Sequence, residues 1–254
     1  MKYKIIAGIP TKNADFVIDN VLKVLSVFCD NIVILDSESM DNTKEICKSY
    51  NNVKWYEGKY NWMIGEEPIQ RQDLINLIIK CEPDYILWMD ADEIPTFSII
   101  SFLENIDENI NLWSPFTVQL YQDEDHYRID KYRTSNGSNI NWDPFTGGRK
   151  SILMKFNSKI NYKYDMTAPV GNFHPAPANA SLPHKNTNDF GFFHYRNLDP
   201  FFISGKKDEM YAKRDENIGR GMFEERLLHH RTCRTEGQPI LKKVPEEWKW
   251  NILK

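Results

Sequence analysis

Residues 84–95 read DYILWMDADEIP, and the fold class turns on this stretch. Tyr85 to Met89 are consecutive apolar residues that end abruptly in Asp90, Asp92 and Glu93. A short unbroken apolar run is expected as a strand buried on both faces, the usual state inside a parallel sheet. Ligands of open α/β sheets collect outside the carboxyl ends of such strands. Asp90 and Asp92 share strand parity, so a chain leaving the sheet here turns both carboxylates toward one ion. Clustered carboxylates repel unless a cation or a proton lies between them. Hard oxygen donors suit Mg²⁺ or Mn²⁺. A bare D-x-D triplet is common by chance, and its place at the end of a buried strand is what gives it weight.

Upstream the chain alternates strands and helices. Lys4–Ile9 is a short apolar run stopped by Pro10, and Asn31–Leu35 is a second one that also ends in an acid, Asp36. Between them, Val17, Val21, Val24, Leu25 and Phe28 recur at the spacing of one helical face. Asn42 followed by Glu45 resembles a capping box opening a helix through Tyr50. Val53–Tyr56 is a third strand, and Glu66–Lys80, with Pro68 in its first turn, a further helix. This order predicts a doubly wound, mostly parallel sheet with right-handed crossovers. After Pro95 the periodicity weakens. Ser98–Ile106 reads as a helix, Phe116–Leu120 as an edge or half-exposed strand, Ile152–Phe156 as another strand, and Lys206–Leu228 as helical. Thr167–Pro183, rich in Pro and Ala, reads as an irregular loop. The expected organisation is one domain over 1–254, with residues 1–95 as one half and 96–254 as an irregular second half ending in a helical tail.

Composition excludes several classes. The chain has 254 residues, 41% apolar and 27% charged, with a net charge of −4. That is ordinary for a globular protein, and it disfavours a general nucleic-acid binder held by counterion release. Cys29, Cys47, Cys81 and Cys233 show no C-x-x-C pair and no zinc spacing, and read as reduced thiols. No apolar run approaches the roughly 20 residues of a membrane span, and the N-terminus lacks a signal-peptide core. A cytoplasmic protein, or one peripheral at a membrane, is the expectation.

Four stretches then point to a family. IAGIPTKNA (6–14), ILDSESMDNTKEICKSY (34–50), RQDLINLII (71–79) and YILWMDADE (85–93) resemble, in order and spacing, the successive signatures of family 2-like, GT-A-fold glycosyltransferases. The resemblance spans roughly residues 4–95. It implies a metal-dependent transfer of a sugar from a nucleotide-diphosphate sugar to an acceptor hydroxyl, with inversion. It further implies that Pro10 and Thr11 line the nucleotide base and that Asp36 accepts a hydrogen bond from it. Arg71 would contact the nucleotide or diphosphate, Asp90 the sugar or ribose, and Asp92 would be the main ligand of Mn²⁺ or Mg²⁺, with Asp90 beside it. Ser37 stands where the family commonly has a second acid, and Glu93 extends the triplet as in the DxDE variant. His194, in GFFHYRNLDP, lies where relatives often carry a histidine, and a neutral imidazole completes a Mn²⁺ site. The plain alternative is a histidine packed between Phe193 and Tyr195. Lys206 and Lys207 are candidates to neutralise the diphosphate, against a solvated lysine on a mixed-charge helix.

Inversion needs a base near the acceptor hydroxyl. The nearest acidic cluster beyond the strand Phe116–Leu120 is Asp123, Glu124 and Asp125. Asp125 comes first because His126 and Arg128 stand ready to hold it, and Asp143 and Asp165 are rivals. Trp142 and Phe145 suit stacking on an acceptor ring or core packing, and Gly147-Gly148-Arg149 a close approach to sugar or a turn. The acceptor remains open among a glycan, a lipid-linked glycan, a protein and a modified nucleic-acid base. Two other enzyme classes fit less well. A haloacid-dehalogenase-type phosphotransferase needs Thr or Val where Ile94 stands. A sugar nucleotidyltransferase needs a Gly-rich loop that IAGIPTKNA does not supply. A degenerate, non-catalytic nucleotide-sugar binder is the non-enzyme alternative.

Overall fold

The structure is a computed structural model that describes residues 1–164, 177, 184–235 and 237–253, with side chains up to 232 in the last helix. The first half follows β1 (Ile5–Thr11), α1 (Ile18–Leu25), β2 (Asn31–Asp36), α2 (Thr43–Lys48), β3 (Val53–Glu57), α3 (Glu67–Ile79) and β4 (Tyr85–Trp88). The second half runs through β5 (Glu93–Pro95), α4 (Ile99–Glu104), β6 (Leu112–Tyr121), β7 (Asp123–Arg128), β8 (Lys131–Arg133), β9 (Asn139–Asn141), β10 (Leu153–Lys155) and β11 (His184–His194). It closes with α5 (Pro200–Ile203), α6 (Lys206–Asn217), α7 (Phe223–Thr235) and β12 (Leu241–Lys243).

The strand order β3-β2-β1-β4 is wholly parallel, with β1 in the middle, paired to β2 on one side and β4 on the other. Every residue of β1 is buried, as a strand covered on both faces requires. Strand parity divides it between two cores. Ile5, Ala7 and Ile9 join the apolar residues of α1 on one face, and Ile6 joins Leu74, Ile75 and Ile78 of α3 on the other. Gly8 lets α3 sit close, since a Cβ there would meet Ile78 Cδ1 at 2.3 Å.

Beyond β4 the sheet turns antiparallel through β10 and β6, and β11 joins parallel to β6. Chain leaving β4 reverses at once into β5, which pairs antiparallel with the end of β11 so that Glu93 faces His194 in register. This pairing carries a distant part of the chain to the acidic stretch.

Three expectations change. Phe116–Leu120 belongs to a ten-residue strand that is interior rather than an edge, with β10 and β11 on it and β7 beyond, while its alternation of buried and half-buried residues is as expected. Lys206–Leu228 is a hairpin of two helices, broken at Gly219 (φ +75°) and Gly221 (φ +128°), a backbone that favours glycine. Asn42 makes no capping bond. Asp41 caps α2 instead, its Oδ1 accepting from the N–H of Thr43 at 3.1 Å and from its hydroxyl at 2.6 Å. The segment Thr167–Pro183 lies outside the described residues except for Pro177, and Asp165 lies outside them too. Cys29, Cys47 and Cys81 are free and buried. Among the described residues no helix is long and apolar enough to cross a membrane.

Candidate active site

The carboxyl ends of β1, β2 and β4 lie side by side because their strands are parallel neighbours, with Thr11 opposite Asp36 in register. Pro10, Thr11 and Asp36 are all buried. Among the described residues Thr11 Oγ1 has no hydrogen-bond partner. Asp36 accepts from the Ser39 hydroxyl at 2.5 Å and from the Ser39 N–H at 2.8 Å. Burial pushes its carboxyl above the usual range, only partly offset by those two bonds.

The DADE turn sits over the end of β4 in a dense charge cluster. Arg71, on α3 and 6% exposed at its side chain, donates from Nη2 to Glu67 at 3.0 Å and to Asp90 Oδ1 at 2.9 Å. Its Nη1 is buried and has no partner among the described residues. The other oxygen of Asp90 accepts from Lys150 Nζ at 2.5 Å, and Lys150 also binds the fully buried Glu93. Glu93 Oε2 in turn accepts the N–H of Asp90 at 2.9 Å. Burial opposes the charge of Asp90, but Lys150 and Arg71 overcome it and hold the carboxyl far below the usual range. Glu93 goes the other way, because its burial outweighs the help of Lys150.

Asp92 stands apart from that cluster. His194 Nε2 lies 3.5 Å from its Oδ2, and despite burial the imidazole keeps the carboxyl down at about 2. His194 Nδ1 meets Gln119 Nε2 at 3.1 Å. Lys207 is bonded to Asp199 at 2.9 Å. Burial works against its charge, but Tyr211, Asp92 and Asp199 raise its pKa overall. Lys206 is exposed at the start of α6. The lysine that feels Asp92 is therefore Lys207.

Of these groups, Glu67, Arg71, Asp90, Glu93, Lys150, Gln119 and His194 line a cavity of about 450 Å³. Glu67, Arg71, Asp90, Glu93 and Lys150 form one wall, Thr117, Gln119, Phe192 and His194 a second, and the 141–143 and 147–149 segments a third. Asp143 lies in that third wall. Its Oδ1 accepts the N–H of Phe145 at 2.9 Å and of Thr146 at 3.2 Å. Burial opposes its charge, yet these donors and Lys131 hold the carboxyl below its ordinary value.

The acidic cluster Asp123–Asp125 does not reach this cavity. It forms β7, and Glu124 and Asp125 line a separate hollow of about 110 Å³ with Phe193, Tyr195 and Trp250. Alternation at the end of β11 explains the separation, since Phe192 and His194 face the large cavity while Phe193, with Tyr195 just past the strand, faces the small one. Asp125 is paired with Lys249 at 2.5 Å, His126 binds Asp123 instead, and Arg128 binds Asp130. The support expected for Asp125 goes elsewhere. Arg149 is a staple whose Nη1 donates to the carbonyls of Ser114 and Thr187, at 3.2 and 2.6 Å. Phe145 packs against Phe116 and Trp248, its ring remaining half exposed.

Sequence reasoning did not single out Lys150 or Glu67. Glu67 had a signal, four residues before Arg71 on one helix. Lys150 had none nearby, because the β4–β10 pairing brings it in from 60 residues away.

A cleft at the carboxyl ends of a doubly wound sheet, with acids at the ends of β2 and β4, defines an α/β protein of the GT-A type. The chain belongs to glycosyl transferase family 2, whose family model matches residues 7–159, more than half of its length. Among solved structures, residues 1–349 of S. aureus TarS align over 89% of this chain and 72% of that one, with 14% identity and a TM-score of 0.53. Glucosyl-3-phosphoglycerate synthase from Mycobacterium tuberculosis, solved with Mn²⁺ and uridine-diphosphate-glucose, aligns over 46% of this chain with 20% identity and a TM-score of 0.35. That match spans 44% of the mycobacterial chain, less than half of its length. No curated protein matches the sequence.

Proposed function

We propose that the chain transfers a sugar from a nucleotide-diphosphate sugar to an acceptor hydroxyl, with inversion and with the help of Mn²⁺ or Mg²⁺. The observation that carries this reading is the parallel neighbourhood of β1, β2 and β4, which sets Asp36 and the Asp90–Asp92 turn at adjoining carboxyl ends, with Arg71 bonded to Asp90 at the wall of the large cavity. Thr11 Oγ1 and Arg71 Nη1, both buried and without partners among the described residues, are the donors a bound nucleotide would satisfy. Pro10 and Thr11 flank the base, and Asp36 accepts from a ring N–H.

The donor chemistry of Asp92 and His194 fits a divalent ion. One carboxylate and one imidazole lie 3.5 Å apart, and phosphate oxygens and water supply the remaining positions. Coordination by His194 Nε2 requires the Nδ1–H tautomer, and hence the amide oxygen of Gln119 turned toward it. Asp90 fits less well as a ligand, because both of its oxygens already face cations. It serves better by orienting Arg71 at the donor. When bound, the ion supplies Lewis-acid stabilisation of the charge that develops on the leaving diphosphate. Arg71 and Lys207 add fixed positive charge on the same side.

Asp143 takes the place of Asp125 as the proposed base. It shares the cavity with Asp90, whereas Asp125 lies across the sheet and is held by Lys249. Its hydrogen bonds keep it ionised and oriented to take a proton from the acceptor. The test is product formation from a panel of sugar nucleotides with glycan, lipid-linked glycan, protein and nucleic-acid acceptors. Transfer lost in Asp92→Asn supports the reading, and binding without turnover across the panel supports a non-catalytic binder instead.

A further inference from the structure

Three carboxylates crowd the DADE turn, and only one of them is turned toward His194. The other two converge on a single ammonium. Lys150 Nζ bonds Asp90 at 2.5 Å and also bonds Glu93, whose side chain is fully buried. The second Glu93 oxygen accepts the N–H of Asp90 at 2.9 Å, closing a ring of contacts through the turn. A buried carboxylate is costly unless it is paired, so Glu93 depends on Lys150. Lys150 is 28% exposed, borders the large cavity and lies 5.8 Å from the centre of the Phe192 ring. Two of its three N–H donors are used by the carboxylates.

We propose that Lys150 is a positioning residue of the donor site, a resident cation between Asp90 and Glu93 that confines a divalent ion to the Asp92–His194 end. This rests on the reading of the cleft as a metal-assisted nucleotide-sugar site. An ammonium a few ångström from a divalent ion repels it strongly at any dielectric found in a protein. A second ion cannot share Asp90 while Lys150 is present, and the metal has one place to go. Lys150 thus joins the two halves of the chain, since it precedes β10 in the second half and neutralises acids that end the first.

The test is Mn²⁺ binding to the full chain, first alone and then with UDP or GDP present, followed by electron paramagnetic resonance, for wild type, Lys150→Met and Lys150→Arg. Lys150→Met should bind Mn²⁺ at least about tenfold more tightly, or acquire a second ion, while Lys150→Arg stays within about threefold of wild type. Removing the lysine alone strands a buried Glu93, so Glu93→Gln and Lys150→Met/Glu93→Gln form a second comparison in which both charges go together. The double variant should again bind Mn²⁺ more tightly than Glu93→Gln alone. Unchanged or weaker binding in both comparisons overturns the proposal. A wild type that binds no Mn²⁺ under either condition, beside a Lys150→Met variant that does, overturns the proposal and the metal reading together, since Lys150 then excludes the ion rather than confining it. Absence of binding in every variant, with and without the nucleoside diphosphate, overturns both.

Discussion

Replacing Arg71 by Met keeps the apolar stem of the side chain and removes its charge. The guanidinium donates to Glu67 from Nε at 3.3 Å and from Nη2 at 3.0 Å, and to Asp90 at 2.9 Å, with the side chain 6% exposed. Breaking a buried ion pair by deleting one partner costs about 3–5 kcal/mol, because the other charge is left behind. Two features lower that figure here. Asp90 retains Lys150, and its side chain is 31% exposed, so water screens part of the loss. The expected loss is therefore about 2–3 kcal/mol. Urea unfolding should show a lower midpoint at an unchanged slope. A double-mutant cycle with Asp90→Asn separates the pair from the rest: the two changes together should cost at least about 0.5 kcal/mol less than their sum. A loss under about 0.5 kcal/mol in Arg71→Met, or strict additivity in the cycle, refutes the view that α3 is tied to the acidic turn through this arginine.

Asp36→Ala should weaken nucleotide binding by roughly tenfold or more with little effect on the transfer step, since a buried donor left unpaired costs about 1–3 kcal/mol; calorimetry with nucleoside diphosphates checks it. Asp143→Asn should bind donor normally and lose transfer by about 10²–10⁴-fold, while Asp125→Asn stays within about threefold of wild type; the reverse order would restore β7 as the source of the base. The α6–α7 hairpin should loosen on acidification. Its centre is the buried Asp215, bonded to Arg226 and Arg214 and to His230 at 3.0 Å. Burial opposes the Asp215 charge, but those partners lower its pKa overall, and burial, assisted by Arg226 and His229, lowers that of His230. In both cases the unfolded chain binds more protons, so stability falls as pH drops through about 6.5 for the histidine and below about 4 for the aspartate. Amide exchange in α6 and α7 should speed up over that range, and a flat profile from pH 7 to 4 would count against the network.

The parallel half was readable because its physics is local. Unbroken apolar runs, one-face helical spacing and acids at strand ends survive in a single sequence, and they place Asp36, Asp90 and Asp92 without any knowledge of the second half. The second half resisted because its decisive contacts are long-range. Phe116–Leu120 alternates like an edge strand, yet β11 covers it from about 75 residues away. Asp123–Asp125 follow that strand closely enough to suggest a cleft rim, but Glu124 and Asp125 line the smaller hollow with Phe193 and Tyr195 instead. Asp143 and Lys150 enter the cavity from segments with no helical or strand period of their own. The break in the C-terminal helix was visible in Gly219 and Gly221, whose meaning depends on the hairpin that closes around Asp215.

The central claim is that the cleft over β4 binds a nucleotide diphosphate through a divalent ion held by Asp92. Titration calorimetry of UDP, GDP, TDP and CMP donors with and without Mn²⁺, on wild type and on Asp92→Asn, tests it most directly. One nucleotide should bind wild type far more tightly with Mn²⁺ than without. In Asp92→Asn that metal-dependent gain should vanish while the fold, read from its unfolding midpoint, persists. Metal-dependent nucleotide binding that is equally tight in Asp92→Asn and wild type would contradict the claim.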